Sequence, residues 1–185
     1  MKKIIHLLLL SHLILASCSC SVIKHNVDVN KISFPPQEKV ISVLSDSVTN
    51  VIFSDALVSV YMVEGKNDTV SYSPDSLVCD MVVKKKVENI DKSLVSALQF
   101  VLSDGNTYLD GDMMPSAPFM PGYVIEFSDQ DNKVCHMVIS ISGGFCRLYW
   151  NEKMIKEFKY TQERLITYFL LLTTEDERLK KIMEL

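Results

Sequence analysis

The sequence predicts an α+β domain in which an antiparallel sheet carries helices on one face. Two observations decide this class. The last third of the chain alternates strand-compatible segments with short turns, and apolar residues recur at helical spacing within residues 92–103. We expect a C-terminal four-strand meander, one mid-chain helix and two C-terminal helices, with the helices packed on one face of the sheet.

The first half of the domain gives weaker signals. Residues 40–44 are predicted to form a short strand, and residues 45–54 fit either a helical turn or a strand. Residues 56–64 alternate in the manner of a half-buried strand. Residues 65–68 read Gly-Lys-Asn-Asp, which is a turn signal, so residues 69–72 are predicted to return as the hairpin partner.

The middle of the chain predicts a strand followed by a helix. The strand is expected within residues 81–88. Asp91 is a suitable helix N-cap, and the apolar spacing after it predicts an amphipathic helix over residues 92–103. Residues 104–121 are predicted to form a long irregular loop, since Asp104-Gly105-Asn106 terminates the helix.

The final third predicts the meander and the C-terminal helices. Thr161 opens the first helix, and the capping box that begins at Thr174 starts the second. The turns between the strands are short, as an antiparallel meander requires. The four predicted strands are residues 122–128, 133–142, 145–150 and 154–160.

Side-chain alternation separates the two faces of this meander. If Gly143-Gly144 is a two-residue loop, Ile141 lies opposite Cys146. The opposite, wetter face then carries His136, Ser140, Ser142 and Arg147. The predicted core face is almost wholly apolar and consists of Cys135, Met137, Ile139, Ile141, Cys146, Leu148 and Trp150.

Two consequences concern the cysteines. Cys135 and Cys146 are predicted to lie roughly 20 Å apart, beyond the reach of a disulfide. Cys146 points inward and His136 outward, which excludes a thiolate–imidazole pair. Cys79 can still meet either cysteine from a neighbouring strand, so that pairing stays open.

The first residues have the layout of a secretory signal peptide. Lys2 and Lys3 precede an apolar run over residues 4–15, and Ala16 and Ser17 are small. The run is shorter than the roughly 20 apolar residues that span a bilayer. We therefore expect residues 1–17 to be removed, residues 18–37 to form a tether and residues 38–185 to form a single α+β domain.

Leu15-Ala16-Ser17-Cys18 resembles the lipobox of bacterial lipoproteins. The resemblance implies cleavage before Cys18, attachment of a diacylglycerol to its sulfur and acylation of the new amino terminus. It places the protein in the bacterial cell envelope, held to a membrane by lipid. Ser19 stands where Asp favours inner-membrane retention in that family, so the outer membrane is expected. Residues 56–172 also resemble small bacterial lipoproteins with a strand–helix–meander–helix order.

Charge and composition narrow the classes of partner. Removal of residues 1–17 leaves 168 of the 185 residues and changes the net charge from −4 to −6, because that segment holds Lys2 and Lys3 and no acid. An acidic chain without a concentrated basic face argues against binding to nucleic acid. Lys84, Lys85 and Lys86 are interpreted as protection of an edge strand, with a basic patch as the alternative.

Two features of residues 104–121 could carry binding. Asp104, Asn106, Asp110 and Asp112 are weak candidates for a Ca²⁺ site, although the order of ligands in an EF-hand is not met. The alternative is that they serve as turn residues. The apolar part of the segment is predicted to cover the sheet or to contact a protein partner through Met113, Met114, Phe119 and Met120.

No catalytic, cofactor or metal set is identified in the sequence. The cysteines match no zinc spacing, and no G-x-S-x-G motif surrounds a serine. The leading expectation is a non-enzymatic envelope lipoprotein that binds a partner or has an accessory role. One alternative is an inhibitor or immunity-type lipoprotein that uses residues 104–121 as a plug. The other is an enzyme or ligand-binding protein whose site is assembled from scattered residues.

Overall fold

The computed structural model describes residues 34–87, 90–109 and 118–173, and it has the predicted α+β class. These ranges contain four α-helices, eight strands and two single-turn 3-10 helices, Pro74–Ser76 and Gly105–Thr107. The helices are α1 (Glu38–Leu44), α2 (Asp46–Ile52), α3 (Lys92–Ser103) and α4 (Gln162–Leu172). The strands are β1 (Leu57–Glu64), β2 (Leu77–Val78), β3 (Met81–Val87), β4 (Tyr108–Leu109), β5 (Pro121–Ser128), β6 (Val134–Ser140), β7 (Phe145–Trp150) and β8 (Lys153–Tyr160).

The strands form one sheet in the order β2-β3-β1-β5-β6-β7-β8-β4. Every pairing is antiparallel. The predicted meander is confirmed as β5 to β8. The pairing of β1 with β5 adds the earlier strands to this meander, so two chain segments distant in sequence meet at that seam.

All four helices pack on the same face of the sheet, which is the arrangement predicted for the mid-chain and C-terminal helices. Each contributes to one apolar core: Leu44 from α1, Ile52 from α2, Leu98 from α3 and Phe169 from α4. The second C-terminal helix, predicted to start at Thr174, lies outside the described residues. None of the helices in the described part of the chain is long and apolar enough to cross a membrane.

Helix α3 has the predicted bounds. The Asp91 carboxylate accepts a hydrogen bond of 2.7 Å from the backbone N–H of Ser93, which satisfies one free donor of the first turn. Leu98 and Leu102, four residues apart, are both fully buried against the sheet. The side-chain cap and the buried apolar stripe thus both favour a helix over these residues.

Helix α4 is fixed to the sheet by aromatic contacts. The ring of Phe169 stacks on that of Tyr123 from β5, with centroids 4.1 Å apart and an interplanar angle of 7°. The buried hydroxyls of Tyr123 and Thr173 share a hydrogen bond of 2.8 Å. These contacts hold the last described helix on the core face.

The prediction of a strand at residues 40–44 is wrong, because this segment lies in α1. Val40 and Leu44 are four residues apart and fully buried, so helical packing prevails over the strand-like composition. The ambiguous residues 45–54 contain α2. Lys156 of β8 donates to the carbonyl of Val43 at 2.8 Å, which satisfies one of the free acceptors at the end of α1.

The predicted hairpin between residues 56–64 and 69–72 is also wrong. On the side of β1 away from β5, its partner is β3, from Val60 opposite Val87 to Glu64 opposite Val82, with a bulge between. Residues 69–72 form no strand. The Asn67 side chain accepts from the backbone N–H of Thr69 at 3.0 Å, which favours a turn there over pairing with β1.

The loop between β6 and β7 is longer than predicted. Ile139, not Ile141, lies opposite Cys146, so residues 141–144 form a four-residue connection. The pairing has shifted by two residues, and an even shift leaves every side chain on its predicted face. The core face is therefore confirmed, with Trp150 partly buried at its end.

The prediction of an irregular loop over residues 104–121 fails at its start. Tyr108 and Leu109 form β4, which pairs with the end of β8. Tyr108 is fully buried, and its hydroxyl donates to the carbonyl of Leu102 at 2.9 Å. Residues 110–117 lie outside the described part of the chain.

The edges of the sheet carry short strands. β2 pairs with β3 only at Met81 and Val82, so within the described residues no strand covers the outer edge of residues 84–87. This arrangement supports the interpretation of the three lysines as edge protection. Phe34, the first described residue, contacts helix α3, since its ring lies 5.3 Å from that of Phe100.

Candidate functional site

The sheet face opposite the helices carries a second, smaller apolar cluster and a cleft of about 810 Å³. Val63, Val124 and Val138 form the fully buried centre of the cluster. Tyr61 lies opposite Val124, and Glu126 is two residues further along β5, so both share this face. The cleft opens beside the cluster, between the seam strands and two hairpin turns.

Glu126 and His136 face each other across β5 and β6 and form the polar floor of the cleft. His136 Nε2 lies 3.2 Å from Glu126 Oε2. The imidazole is 7% exposed and the carboxylate 28%. The Tyr61 hydroxyl approaches both carboxylate oxygens at 3.4 Å. The Glu126 carboxylate is thus held between the buried His136 imidazole and the Tyr61 hydroxyl.

This arrangement keeps Glu126 charged. The hydrogen bond from His136 is the main cause that lowers the pKa of the carboxyl below its usual range, against the opposing effect of burial. Tyr61 and Lys86 lower it further. The pKa of Tyr61 is raised, first by burial and then by the charge of Glu126.

The second ring nitrogen of His136 has no such partner. Nδ1 is buried, and no hydrogen-bond partner for it exists among the described residues. Because Nε2 faces a carboxylate, the tautomer that carries its proton on Nε2 satisfies the pair. His136 lies on the predicted side of the sheet. The prediction that its side chain is in contact with water is wrong, because the imidazole is 7% exposed. Ser140 on the same face is also fully buried.

Two tight turns form part of the rim of the cleft. Cys79 and Asp80 connect β2 to β3 with φ of 47° and 67°. Asn151 and Glu152 connect β7 to β8 with φ of 46° and 65°. Two-residue hairpins of the I′ type require positive φ at both positions, which favours Gly and Asn. Cys79, Asp80 and Glu152 hold this backbone conformation at a cost, as residues at binding sites often do.

The thiols of the domain are protonated and free. Burial raises the pKa of Cys79 and of Cys135 to about 12 and raises that of Cys146 as well. All three are unpaired by disulfide, including Cys79, for which the sequence left pairing open. Cys135 lies opposite Trp150, four residues from Cys146, which is roughly 13 Å along the strand and confirms that they do not bond. Cys146 and His136 lie on opposite faces, as predicted.

Two of the four calcium candidates, Asp104 and Asn106, lie in a turn held by other contacts. Asp104 accepts from the backbone N–H of Asn106 at 2.9 Å and forms an ion pair with Arg164. The hydrogen bond from Arg164 is the main cause that lowers the pKa of Asp104. These contacts fit the turn interpretation. Asp110 and Asp112 lie outside the described residues.

Of the candidate partner residues, the two that the structure describes, Phe119 and Met120, do not line the cleft. The Phe119 ring packs on the second cluster, and the Arg147 guanidinium lies over it at 3.9 Å. The Met120 side chain is 55% exposed. Met113 and Met114 lie outside the described residues. The described part of this segment is thus packed on the open face of the sheet and ends at an exposed methionine.

Among the described residues, no three His, Cys, Asp or Glu side chains are grouped closely enough to hold a metal ion. Comparison of the chain with family models, with characterised proteins and with solved structures gives no match. The geometry of the cleft is therefore the feature of this chain that bears on its function.

Sequence reasoning missed the pairing of Glu126 with His136, because that pairing depends on the length of the turn between their strands. Each strand of that hairpin was predicted, but alternation across the turn at residues 129–132 was left unresolved. A four-residue turn places Glu126 opposite Cys135. The observed connection has five residues, because the Asp129 carboxylate accepts from the backbone N–H of Lys133, and this brings His136 opposite Glu126.

Proposed function

We propose that this chain is a lipid-anchored, non-enzymatic binding protein of the bacterial cell envelope whose cleft holds a small ligand. The observation that carries the proposal is the cleft of about 810 Å³ whose floor holds the buried His136 paired with the half-buried Glu126. Small-molecule sites occupy roughly 300–1,000 Å³ and combine apolar walls with a few fixed polar groups. Leu77, Val78 and Val83 supply such a wall.

The protonation of the lining residues favours binding over catalysis. A general base works best with a pKa near the operating pH, and that of Glu126 is shifted away from it. A thiol nucleophile requires a lowered pKa, and burial raises that of Cys79 to about 12. The cleft is therefore suited to hold a ligand through the charged Glu126 and its neighbours.

The anchor is proposed from the lipobox. Cys18 is the lipidation site, and the domain is delivered to the membrane, with the outer membrane favoured by Ser19. Cys18 lies outside the described residues. Substitution Cys18→Ala should move the protein from the membrane fraction to the soluble fraction, and retention of the variant in the membrane would contradict the proposal.

The ligand proposal is tested by blocking the cleft. The full chain, purified in non-ionic detergent, is screened with a library of small polar and amphipathic compounds by thermal shift. Val83→Phe fills the cleft, and Val70→Phe makes the same change at a residue that is 49% exposed and outside it. Compounds that stabilise the wild type should stabilise Val70→Phe equally and Val83→Phe little. Equal shifts in all three proteins, or none in the wild type, would refute the proposal.

Contact with a protein partner is the second candidate, and the exposed Met120 beside the packed Phe119 favours it. Replacement of Met113, Met114 and Met120 by Ser separates the interpretations. Loss of partner capture with intact folding supports a partner surface, whereas unfolding supports a structural segment. Less of residues 104–121 is left to act as the plug of an inhibitor, because Tyr108 and Leu109 form β4.

A further inference from the structure

We infer that the ligand of the cleft carries a cationic amine or guanidinium group on a compact apolar body. The inference rests on the proposed ligand-binding function and deepens it by naming the chemical class. Four features of the cleft lead to it: the balance of charge along its lining, the free acceptor positions of Glu126, the burial of His136 behind that carboxylate, and the apolar walls.

The lining is acidic. Asp75, Glu126 and Glu152 supply three carboxylates against the single ammonium of Lys86. The Lys86 ammonium lies 5.8 Å from the centroid of the Tyr61 ring. A concave, partly apolar surface concentrates the field of such a set. A cation is attracted into this cleft, and an anion meets a net formal charge of −2 from these four groups.

Glu126 can accept further hydrogen bonds. A carboxylate has about four lone-pair positions, and His136 uses one of them on Oε2. The Tyr61 hydroxyl is 3.4 Å from each oxygen, a long contact that leaves room for a stronger donor. The carboxylate is 28% exposed and can be reached from the cleft. An ammonium or guanidinium donates the short, charge-assisted bonds that such an acceptor favours.

His136 is the independent sign that the acid is arranged for a ligand. Its imidazole is 93% buried, and Nδ1 has no partner among the described residues. Leaving a polar nitrogen in this state costs stability. Through its Nε2 contact, the ring keeps Glu126 in one orientation at the floor of the cleft. Such pre-organisation reduces the cost of binding.

The apolar part of the ligand follows from the walls. Leu77, Val78, Val83 and Val134 surround the polar floor. A fully hydrated cation such as ammonium would leave these side chains unused, since their contribution comes from apolar area removed from water. An amine on a ring or a short branched chain satisfies both parts of the cleft.

Three probes of similar size test the class: benzylamine, benzyl alcohol and phenylacetate, titrated into the full chain in non-ionic detergent by calorimetry. The wild type should bind benzylamine at least tenfold more tightly than either other probe. Glu126→Gln should lose at least tenfold in benzylamine affinity and leave that of benzyl alcohol unchanged. Glu157→Gln is the matched control, since Glu157 pairs with Arg147 outside the cleft and should retain wild-type affinities.

The outcomes separate this inference from the proposed function. One result is that the wild type binds phenylacetate or benzyl alcohol as tightly as benzylamine or more tightly, with this binding abolished by Val83→Phe. That result overturns the cationic class of ligand and leaves the cleft as a ligand site. Benzylamine binding that is unaffected by Glu126→Gln also overturns the inference. Absence of any benzylamine binding overturns it too, while the library screen with Val83→Phe and Val70→Phe decides the proposed function separately.

Discussion

The Glu126–His136 pair gives a prediction in which two substitutions together do less harm than either alone. Glu126→Leu leaves the Nε2–H donor unpaired in a ring that is 7% exposed, at a cost of about 1–3 kcal/mol. His136→Leu removes a hydrogen bond from a carboxylate that is 28% exposed, and we expect a loss of about 1–2 kcal/mol because water and Tyr61 replace part of it.

The double variant leaves neither group unpaired and adds apolar surface beside the second cluster. We therefore expect it to lie within about 1 kcal/mol of the wild type, with a coupling free energy of about 2 kcal/mol. Urea unfolding followed by far-UV circular dichroism measures this. With a slope of about 2 kcal/mol per molar urea, each single variant loses about 0.5–1.5 M in midpoint.

The control is the exposed pair Asp131–Lys133, whose charged groups are 3.1 Å apart. The corresponding alanine cycle should give a coupling below about 0.5 kcal/mol, since exposed ion pairs contribute little. If the losses of Glu126→Leu and His136→Leu add within about 0.5 kcal/mol, the pair does not form the buried contact described and the argument for the cleft floor is refuted.

Three further predictions concern pH, backbone strain and thiols. The pKa of Glu126 is lowered in the folded state, so its charge stabilises the fold above the unfolded pKa of about 4.3, and this stabilisation is lost as pH falls through the folded pKa. Glu126→Gln should therefore lose less urea midpoint than the wild type between pH 6 and pH 2. A loss equal to that of the wild type contradicts this. Glu152→Gly should raise the melting temperature by about 2–4 °C by relieving a φ of 65°, and should weaken benzylamine binding; a lower melting temperature would argue against strain at this turn. Iodoacetamide at pH 8 should label Cys79, Cys135 and Cys146 slowly in the folded chain and rapidly in urea, as read by peptide mass spectrometry, whereas fast labelling of the folded chain would show that burial does not raise their pKa.

The parts of the fold that were predictable are those in which local signals agree with packing. Helix α3 has a side-chain cap at Asp91 and a buried stripe of leucines, and its bounds match the prediction. The meander has a turn signal at each reversal. Alternation assigned its faces correctly even though the loop at Gly143-Gly144 is longer than expected, because the pairing shifted by an even number of residues.

The parts that failed depend on distant contacts. Val40 and Leu44 have strand-like neighbours, yet burial under the sheet selects a helix. The turn signal at residues 65–68 is real, but the strand that pairs with β1 comes later, after residue 80. The cleft depends on the same distant pairing, since Tyr61 and Lys86 reach Glu126 only when β1 joins β5.

The position of the cleft at this seam has a consequence for the order in which the protein folds. β5 to β8 are joined by short links and pair locally, whereas β1 must close a loop of about sixty residues to reach β5. We expect the meander to form first and the β1–β3 unit to dock on it afterwards. The Glu126–His136 half of the cleft then exists before Tyr61 and Lys86 arrive, so partial opening of the native protein would release a ligand without unfolding the meander. Native-state hydrogen exchange should show this as weaker protection of β1 and β3 than of β6 and β7, with the difference reduced when ligand is bound.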